Sequence, residues 1–459
     1  GSSVSRSLIV QPAEGRKRNF RLEVHGPKTE KVGGEGSTHW TKAGVTVITL
    51  EEVLDPVNLL MARDRAMANK GAPGVDGMTF DKVHEHFQRH GESICEHIRQ
   101  GRYIPSPVRR VDIPKPNGGT RMLGIPTVQD RVIQQAIAQV LVRHYDPTFS
   151  EFSYGFREGR GAKQAITQTT AYIKDGRSWI VEMDLEKFFD TVNHDRLMGR
   201  LEKDIKDRML LRLIRRYLRT GILENGLVSP RDEGTPQGSP LSPILSLIVL
   251  DELDKYLEKR GIAFCRYADD CNLYMKSKKA GERALENATR FIEETLKLRV
   301  NRSKSGVFRP WKTKFLGFTF VGKTGEPRAH DKSLKRLKDK LKVIFYRARG
   351  STLKVTIWKI SKMLEGWQGY YSADTRIGVY RDLDIHIRRH LRKLIWIAWK
   401  KPKTREAALI KRGLDPERAW KSSVNGRGAW WNAGALHMRH AYNNDCFRRL
   451  GLYSLELRQ

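Results

Sequence analysis

Apolar residues recur along this chain with two periods, and the switches between them mark out the elements. From Leu50 the spacing is helical, with Leu54, Val57, Leu60 and Met61 on one predicted face, and it ends in a Gly- and Pro-rich loop over residues 69–77. Residues 108–113 read as a strand, 114–119 as a turn and 121–125 as the returning strand. A helix is predicted over 130–142, with Val132, Ile133, Ala136, Ile137 and Val140 on its apolar side. Residues 179–185 form a short, nearly all-apolar strand broken by Glu182 and Asp184. Helices are expected over 192–201, 209–218 and 241–257, the last strongly apolar. Two apolar arms, 263–267 and 271–275, flank a turn at 268–270, a β-hairpin with two acids at its tip. Helical spacing resumes over 282–298, and 315–321 looks like another hairpin arm. Strands and helices mixed this irregularly predict an α+β core rather than a doubly wound sheet.

Length and composition narrow the class. The 459 residues, 39% hydrophobic, suffice for two or three domains with their own cores. No apolar run approaches the roughly 18–20 residues that span a bilayer, and the N-terminus lacks the apolar stretch of a signal peptide. A cytosolic protein without a membrane partner is expected, and Gly1 to Ser3 read as a cloning remnant. The formal net charge is +33, from 85 Lys and Arg against 52 Asp and Glu, far beyond what solubility requires. The usual polyanion that neutralises such an excess is nucleic acid. Residues 331–405 alone hold 21 Lys and Arg against 6 acids, a net of +15, on a helical pattern carrying Trp358, Trp367, Tyr370, Tyr371, Trp396 and Trp399. Most of these aromatics are expected in a core, leaving the basic face to grip a duplex backbone. Cys95, Cys265, Cys271 and Cys446 show no Cys-x-x-Cys spacing, so a metal here must be held by carboxylates.

The carboxylates that invite one are in Tyr267-Ala268-Asp269-Asp270. Adjacent acids at a hairpin tip repel each other, and a divalent cation turns that cost into a site. A third acid is available on the 179–185 strand, where Asp184 and Glu182 share one face. Three acids on adjoining strands suit two-metal phosphoryl transfer, with Mg²⁺ ions about 3.5–4 Å apart.

Eight segments in order then carry a resemblance. They are Gly71-Ala72-Pro73-Gly74-Val75-Asp76-Gly77, Ile113-Pro114-Lys115 through Arg121, Ser153-Tyr154-Gly155-Phe156-Arg157, and Met183-Asp184 through Asp190. Gly234 through Pro243, Tyr267 through Asp270, Lys304-Ser305 and Phe315-Leu316-Gly317-Phe318 complete the series. The chain resembles a bacterial group II intron (maturase-type) reverse transcriptase or a free-standing relative, over about seven-tenths of its length from Asn69 to Arg392.

The resemblance implies a right-hand polymerase fold, with fingers, a palm built on an antiparallel sheet, an α-helical thumb and a small basic C-terminal region. The boundaries expected are a basic extension at 1–48, an N-terminal extension and fingers at 49–178, and a palm at 179–330. A helical thumb of maturase type follows at 331–405 and a nucleic-acid-binding region at 406–459. Among the acids it selects Asp184 over Glu182, with Asp184, Asp269 and Asp270 as catalytic metal ligands and the Leu185 carbonyl as a further one. The cofactor implied is a pair of Mg²⁺ ions, with Mn²⁺ as substitute. Phe189 takes the place of an aromatic gate crowding a ribose 2′-hydroxyl, with Phe188 in the core. Lys115 and Arg121 resemble triphosphate contacts, Gln237 and Gly238 pack on the incoming nucleotide, and Lys304 lies near the pyrophosphate. Leu316 and Gly317 resemble the primer grip. Phe156, Arg157 and the 69–77 loop, with Gly71, Pro73 and Gly74, resemble template contacts. The implied partners are an RNA template, a DNA or RNA primer, dNTPs and a cognate intron RNA. Ser239 stands where many relatives have a second Gly. One Cys and two His in the last 50 residues cannot build the zinc-bearing His-Asn-His endonuclease of many intron-encoded proteins. Two alternatives stand beside an intron-encoded enzyme: a host-serving relative in DNA repair or phage defence, and a non-catalytic RNA-binding splicing factor.

Overall fold

The computed structural model describes residues 47–69, 71–114, 120–224, 227–229 and 238–457. Its first helices, Leu50–Leu54 and Pro56–Ala68, are divided at Asp55. The Asp55 carboxylate caps the second helix, accepting from the amides of Val57 and Asn58 at 2.9 and 3.1 Å. Pro56 takes the first helical position, where a missing N–H costs nothing. The apolar stripe expected to face inward does so only at Leu54, since Val57, Leu60 and Met61 are 64%, 49% and 48% exposed. The buried seam is Asn58, Ala62 and Ala66, against the helix Val128–Tyr145. Asn58 Nδ2 donates to the carbonyls of Val53 and Ala136, and Gln139 Nε2 donates to Asn58 Oδ1. Two small alanines bring the helices close, and this satisfied polar pair then fixes the rotation in place of the larger side chains.

Ten strands lie among the described residues: β1 (Val108–Pro114), β2 (Thr120–Ile125), β3 (Trp179–Met183), β4 (Ile222–Glu224), β5 (Leu227–Ser229), β6 (Ala263–Tyr267), β7 (Asp270–Met275), β8 (Gly306–Phe308), β9 (Phe318–Phe320) and β10 (Pro327–Ala329). One sheet runs β2-β1-β4-β5, with β1 and β4 parallel. The second, β6-β7-β3-β8, is antiparallel throughout. In it Met183 lies opposite Cys271 and Glu182 opposite Asn272, so continuing the register by one residue sets Asp184 across from Asp270. Val181 and Met183 point into the main core, which includes much of the nearly all-buried helix Ser242–Lys259. Ile180, on the other face, joins Cys265, Tyr274, Phe315, Phe318 and Phe320 in a smaller cluster. Helices cover both faces of this sheet, Ser242–Lys259 on the Val181 face and Ala162–Lys174 on the Ile180 face, an α+β mix of helix and sheet.

After β10 the chain is helical: Asp331–Arg347, Leu353–Tyr370 and Ile377–Ala398 lead, with five shorter helices following. One core runs from Leu337 to Leu455 and so crosses the expected division at 405/406. Asp384 fastens the last described residues, accepting from the Ser454 hydroxyl at 2.7 Å and from the amides of Leu455 and Glu456 at 3.1 Å. Of the interleaved aromatics, Trp396 is buried and Trp367 and Trp399 pack on this core, whereas Trp358 and Tyr370 stand exposed. No described helix is long and apolar enough to cross a membrane.

Candidate active site

Strand geometry gathers the three acids. β6 and β7 pair Tyr267 with Asp270 across a two-residue turn, Ala268 and Asp269. Ala268 adopts φ +56°, in the left-handed region that such tight turns demand. For a residue with a Cβ this conformation costs roughly 1–2 kcal/mol. Asp184 follows β3 directly. Its amide donates to Ser305 Oγ at 3.0 Å and its carbonyl accepts from Asn301 N at 2.8 Å. The Glu186 amide donates to the Arg299 carbonyl at 2.8 Å, so this bridge does not consume the Leu185 carbonyl. Lys304 Nζ stands 3.6 Å from Asp184 Oδ2.

The crowding of carboxylates shows in Asp270, whose carboxyl is pushed up to about 6. Partial burial is the largest cause, followed by the like charges of Asp269 and Asp184, with Lys314 opposing. Asp270 still keeps an open surface, so solvent moderates the burial cost, and the repulsion from two neighbouring acids pushes the same way. Hard oxygen donors that repel one another fit a divalent cation. Among the described residues no three His, Cys, Asp or Glu side chains already surround one point. Mg²⁺ needs only one or two carboxylates beside water and substrate phosphates. Glu182, the rival third acid, is engaged elsewhere: its Oε1 accepts the Lys314 amide at 2.8 Å.

A cavity of about 520 Å³ collects Phe189, Phe156, Gly238 and Gly71, together with Arg131, Gln135, Ser239 and Pro240. Phe188 is 2% exposed and lies in the core, its ring edge-on to Phe189 at 5.2 Å. Arg157 and Gly74, both expected at the template, are buried. Arg157 turns inward: Nε donates to Asp146 Oδ1 at 2.6 Å, and the other nitrogens go to the carbonyls of Asp146, Ser150 and Ser153. It is 8% exposed, and it secures the loop that presents Phe156. Gly74 is buried against the Thr127 backbone, where a Cβ would overlap, so its smallness serves packing. Pro73 is half-buried in the same loop. Lys115 and Gln237 lie outside the described residues, and Arg121 is described only as backbone of β2.

Leu316 and Gly317 take φ +51° and +86° in a turn fastened to the following helices. The Leu316 carbonyl accepts from Tyr370 OH at 2.8 Å, and the Gly317 carbonyl accepts from Ser333 Oγ at 2.9 Å. A Cβ at Gly317 would overlap the Tyr371 hydroxyl, so only glycine fits. Sequence reading missed Arg131, whose guanidinium lies over the Phe80 ring at 5.1 Å and donates to the carbonyls of Pro126 and Ala72, clamping the 71–77 loop. It also missed Lys314, whose amide binds Glu182 and whose charge is felt by Asp270. Neither carries a mark in the sequence, because a lone Arg or Lys in a basic chain reads as solvated surface.

Residues 113–320 match the family "Reverse transcriptase (RNA-dependent DNA polymerase)", and residues 334–413 match "Group II intron, maturase-specific domain". Protein YkfC of Escherichia coli (strain K12) is 33% identical over 299 residues, covering 56% of this chain and 78% of its own length. Group II intron-encoded protein LtrA of Lactococcus lactis subsp. cremoris is 36% identical over 215 residues, 47% of this chain and 36% of its own. A chain of a solved structure, "Partial Cas6-RT-Cas1--Cas2 complex", is 26% identical, covers 54% of this chain and 43% of its own, and gives a TM-score of 0.35. The chain belongs to the reverse transcriptases of the group II intron type, RNA-directed DNA polymerases with a maturase domain. It spans about a third of LtrA's length.

Proposed function

We propose that this chain copies RNA by extending a primer 3′-hydroxyl with dNTPs, and that Asp184, Asp269 and Asp270 hold the divalent ions for that reaction. The observation that carries the reading is the register that sets Asp184 across from Asp270 beside Asp269 at the hairpin tip. Two Mg²⁺ ions held there would activate the hydroxyl and neutralise charge on the leaving pyrophosphate. The paired strands set the backbones that carry the three acids side by side on one scaffold, from which their carboxylates would close on the ions. Lys304, near Asp184, adds a cation on the pyrophosphate side. Phe189 crowds the sugar, and Phe156 and Gly71 bound the template side of the same cavity. The Leu316–Gly317 turn seats the primer end, held by Tyr370 and Ser333. In this reading the β1–β2 sheet belongs to the fingers, β3 and β6–β8 to the palm, and the helical body after β10 to the thumb. The maturase match over 334–413 supports intron RNA as a further partner of that helical body.

Primer extension on an RNA template with Mg²⁺ tests the reading. The intact chain should incorporate dNTPs, and Asp269→Ala with Asp270→Ala should lower the rate by at least about 10³-fold, the loss of several kcal/mol of metal-borne stabilisation. Incorporation that survives the double substitution would sink the site assignment.

A further inference from the structure

The strained tip that carries Asp269 is braced from beneath by a side chain that takes no part in the chemistry described so far. Arg266, in β6, is 0% exposed. Its Nε donates to Asp254 Oδ1 at 2.7 Å, and its Nη2 donates to Asp254 Oδ2 at 2.5 Å and to Ser153 Oγ at 2.8 Å. Its Nη1 donates to the Ala268 carbonyl at 2.9 Å. Asp254 sits on the buried helix Ser242–Lys259 and is likewise 0% exposed. The backbone is tied at the same place: the Arg266 amide donates to the Phe152 carbonyl, and its own carbonyl accepts from the Tyr154 amide, both at 2.9 Å. Next along that segment, Gly155 lies so close to the Ala268 amide that a Cβ would overlap it. Phe156 follows at φ +60° and faces the cavity.

We propose that Arg266 is a positioning residue for Asp269: by holding the Ala268 carbonyl against helix Ser242–Lys259 through Asp254, it keeps Ala268 left-handed and aims the carboxylate that follows. Through Ser153 the same guanidinium fixes the Phe156 segment to that turn, so the template side of the cavity and the catalytic tip form one rigid unit. A pair that served stability alone would end at Asp254. Here the remaining N–H groups join two further segments, a use that needs the planar fork of arginine and that the point charge of lysine cannot copy. The inference rests on Asp269 being catalytic.

Arg266→Lys in the full chain is the test, assayed well below the melting temperature of each protein. The expected result is a fall in kcat of about 10²-fold, the cost of a displacement near 1 Å, with KM for dNTP and primer–template held within about threefold. Adding Ala268→Gly should recover at least about tenfold of the loss, because glycine enters the left-handed region without a Cβ penalty. Amides at 267–270 should exchange hydrogen faster while helix Ser242–Lys259 stays protected. That readout needs no activity, so it separates failure of this inference from failure of the Asp269 assignment, which Asp269→Ala tests by itself. If Arg266→Lys does not fold, Ser153→Ala removes one partner of the guanidinium and should lower kcat about threefold or more in protein that is still fully folded at the assay temperature, a loss in the range of one lost hydrogen bond. Unchanged kcat in a folded variant, no rescue by Ala268→Gly, or unchanged exchange at 267–270 overturns the proposal.

Discussion

Phe189 shows how much a single position can decide. It lines the cavity together with Gly238 and Gly71, and its ring meets Phe188, which lies in the core. A ring there discriminates by crowding, and the loss of a steric contact of this kind changes selectivity by about 10- to 100-fold. Phe189→Ala should therefore lower the preference for dNTPs over rNTPs by that factor in ratios of kcat/KM; an unchanged ratio removes Phe189 as the gate. Phe189 stood out in sequence only through the family resemblance, and the acids through the repulsion of adjacent carboxylates that a cation would relieve. Buried cations did not stand out. Arg157 and Arg266 look in sequence like any of the surface arginines of a basic chain, and what distinguishes them is the set of carbonyls and carboxylates that folding brings around each guanidinium. The faint clue to Arg266 was Asp254, an acid inside a helix otherwise rich in Leu, Ile and Val.

Among the elements, those expected lie near their expected ends, but the helices Val83–Arg99 and Ala162–Lys174 went unread, and the way a helix faces was not legible. In Pro56–Ala68 a seam of Asn58, Ala62 and Ala66 displaced the larger apolar residues from the interface, a choice made by the neighbouring helix rather than by periodicity. The helix Ile377–Ala398 carries a pH-sensitive group of its own. His390 stacks on Phe345 at 4.4 Å, on the helix Asp331–Arg347, and lies 4.8 Å from Trp430. Burial, then His386, Lys393 and Arg389, pull its imidazolium down to about 4. The unfolded chain therefore binds more protons than the folded one between about pH 4 and 6.5, so stability rises with pH across that window. Acidifying from pH 7 to 5 should cost about 1 kcal/mol after allowance for the solvent reaching this half-buried ring. The melting temperature of His390→Phe should lose that part of its acid sensitivity. If it falls with pH as steeply as that of the parent, the ring is not the source.

Across the whole molecule, charge and register act at different ranges. A net charge of +33 makes capture of a primer–template strongly electrostatic. Its Kd should weaken by on the order of 10³-fold between 50 and 200 mM salt, as expected for six or more phosphate contacts, and a flat salt response would contradict a backbone grip by the basic helices. The proposed metal site is protected differently. Asp184 and Asp270 come from separate stretches of chain and meet because β3 and β7 are paired in one particular register. Side chains alternate between the faces of a sheet, so one residue gained or lost within β3 would carry Asp184 to the opposite side, whereas a change of two would keep its face. Descendants of this chain can exchange one apolar residue for another of like size in that strand, but cannot alter whether its count is odd or even.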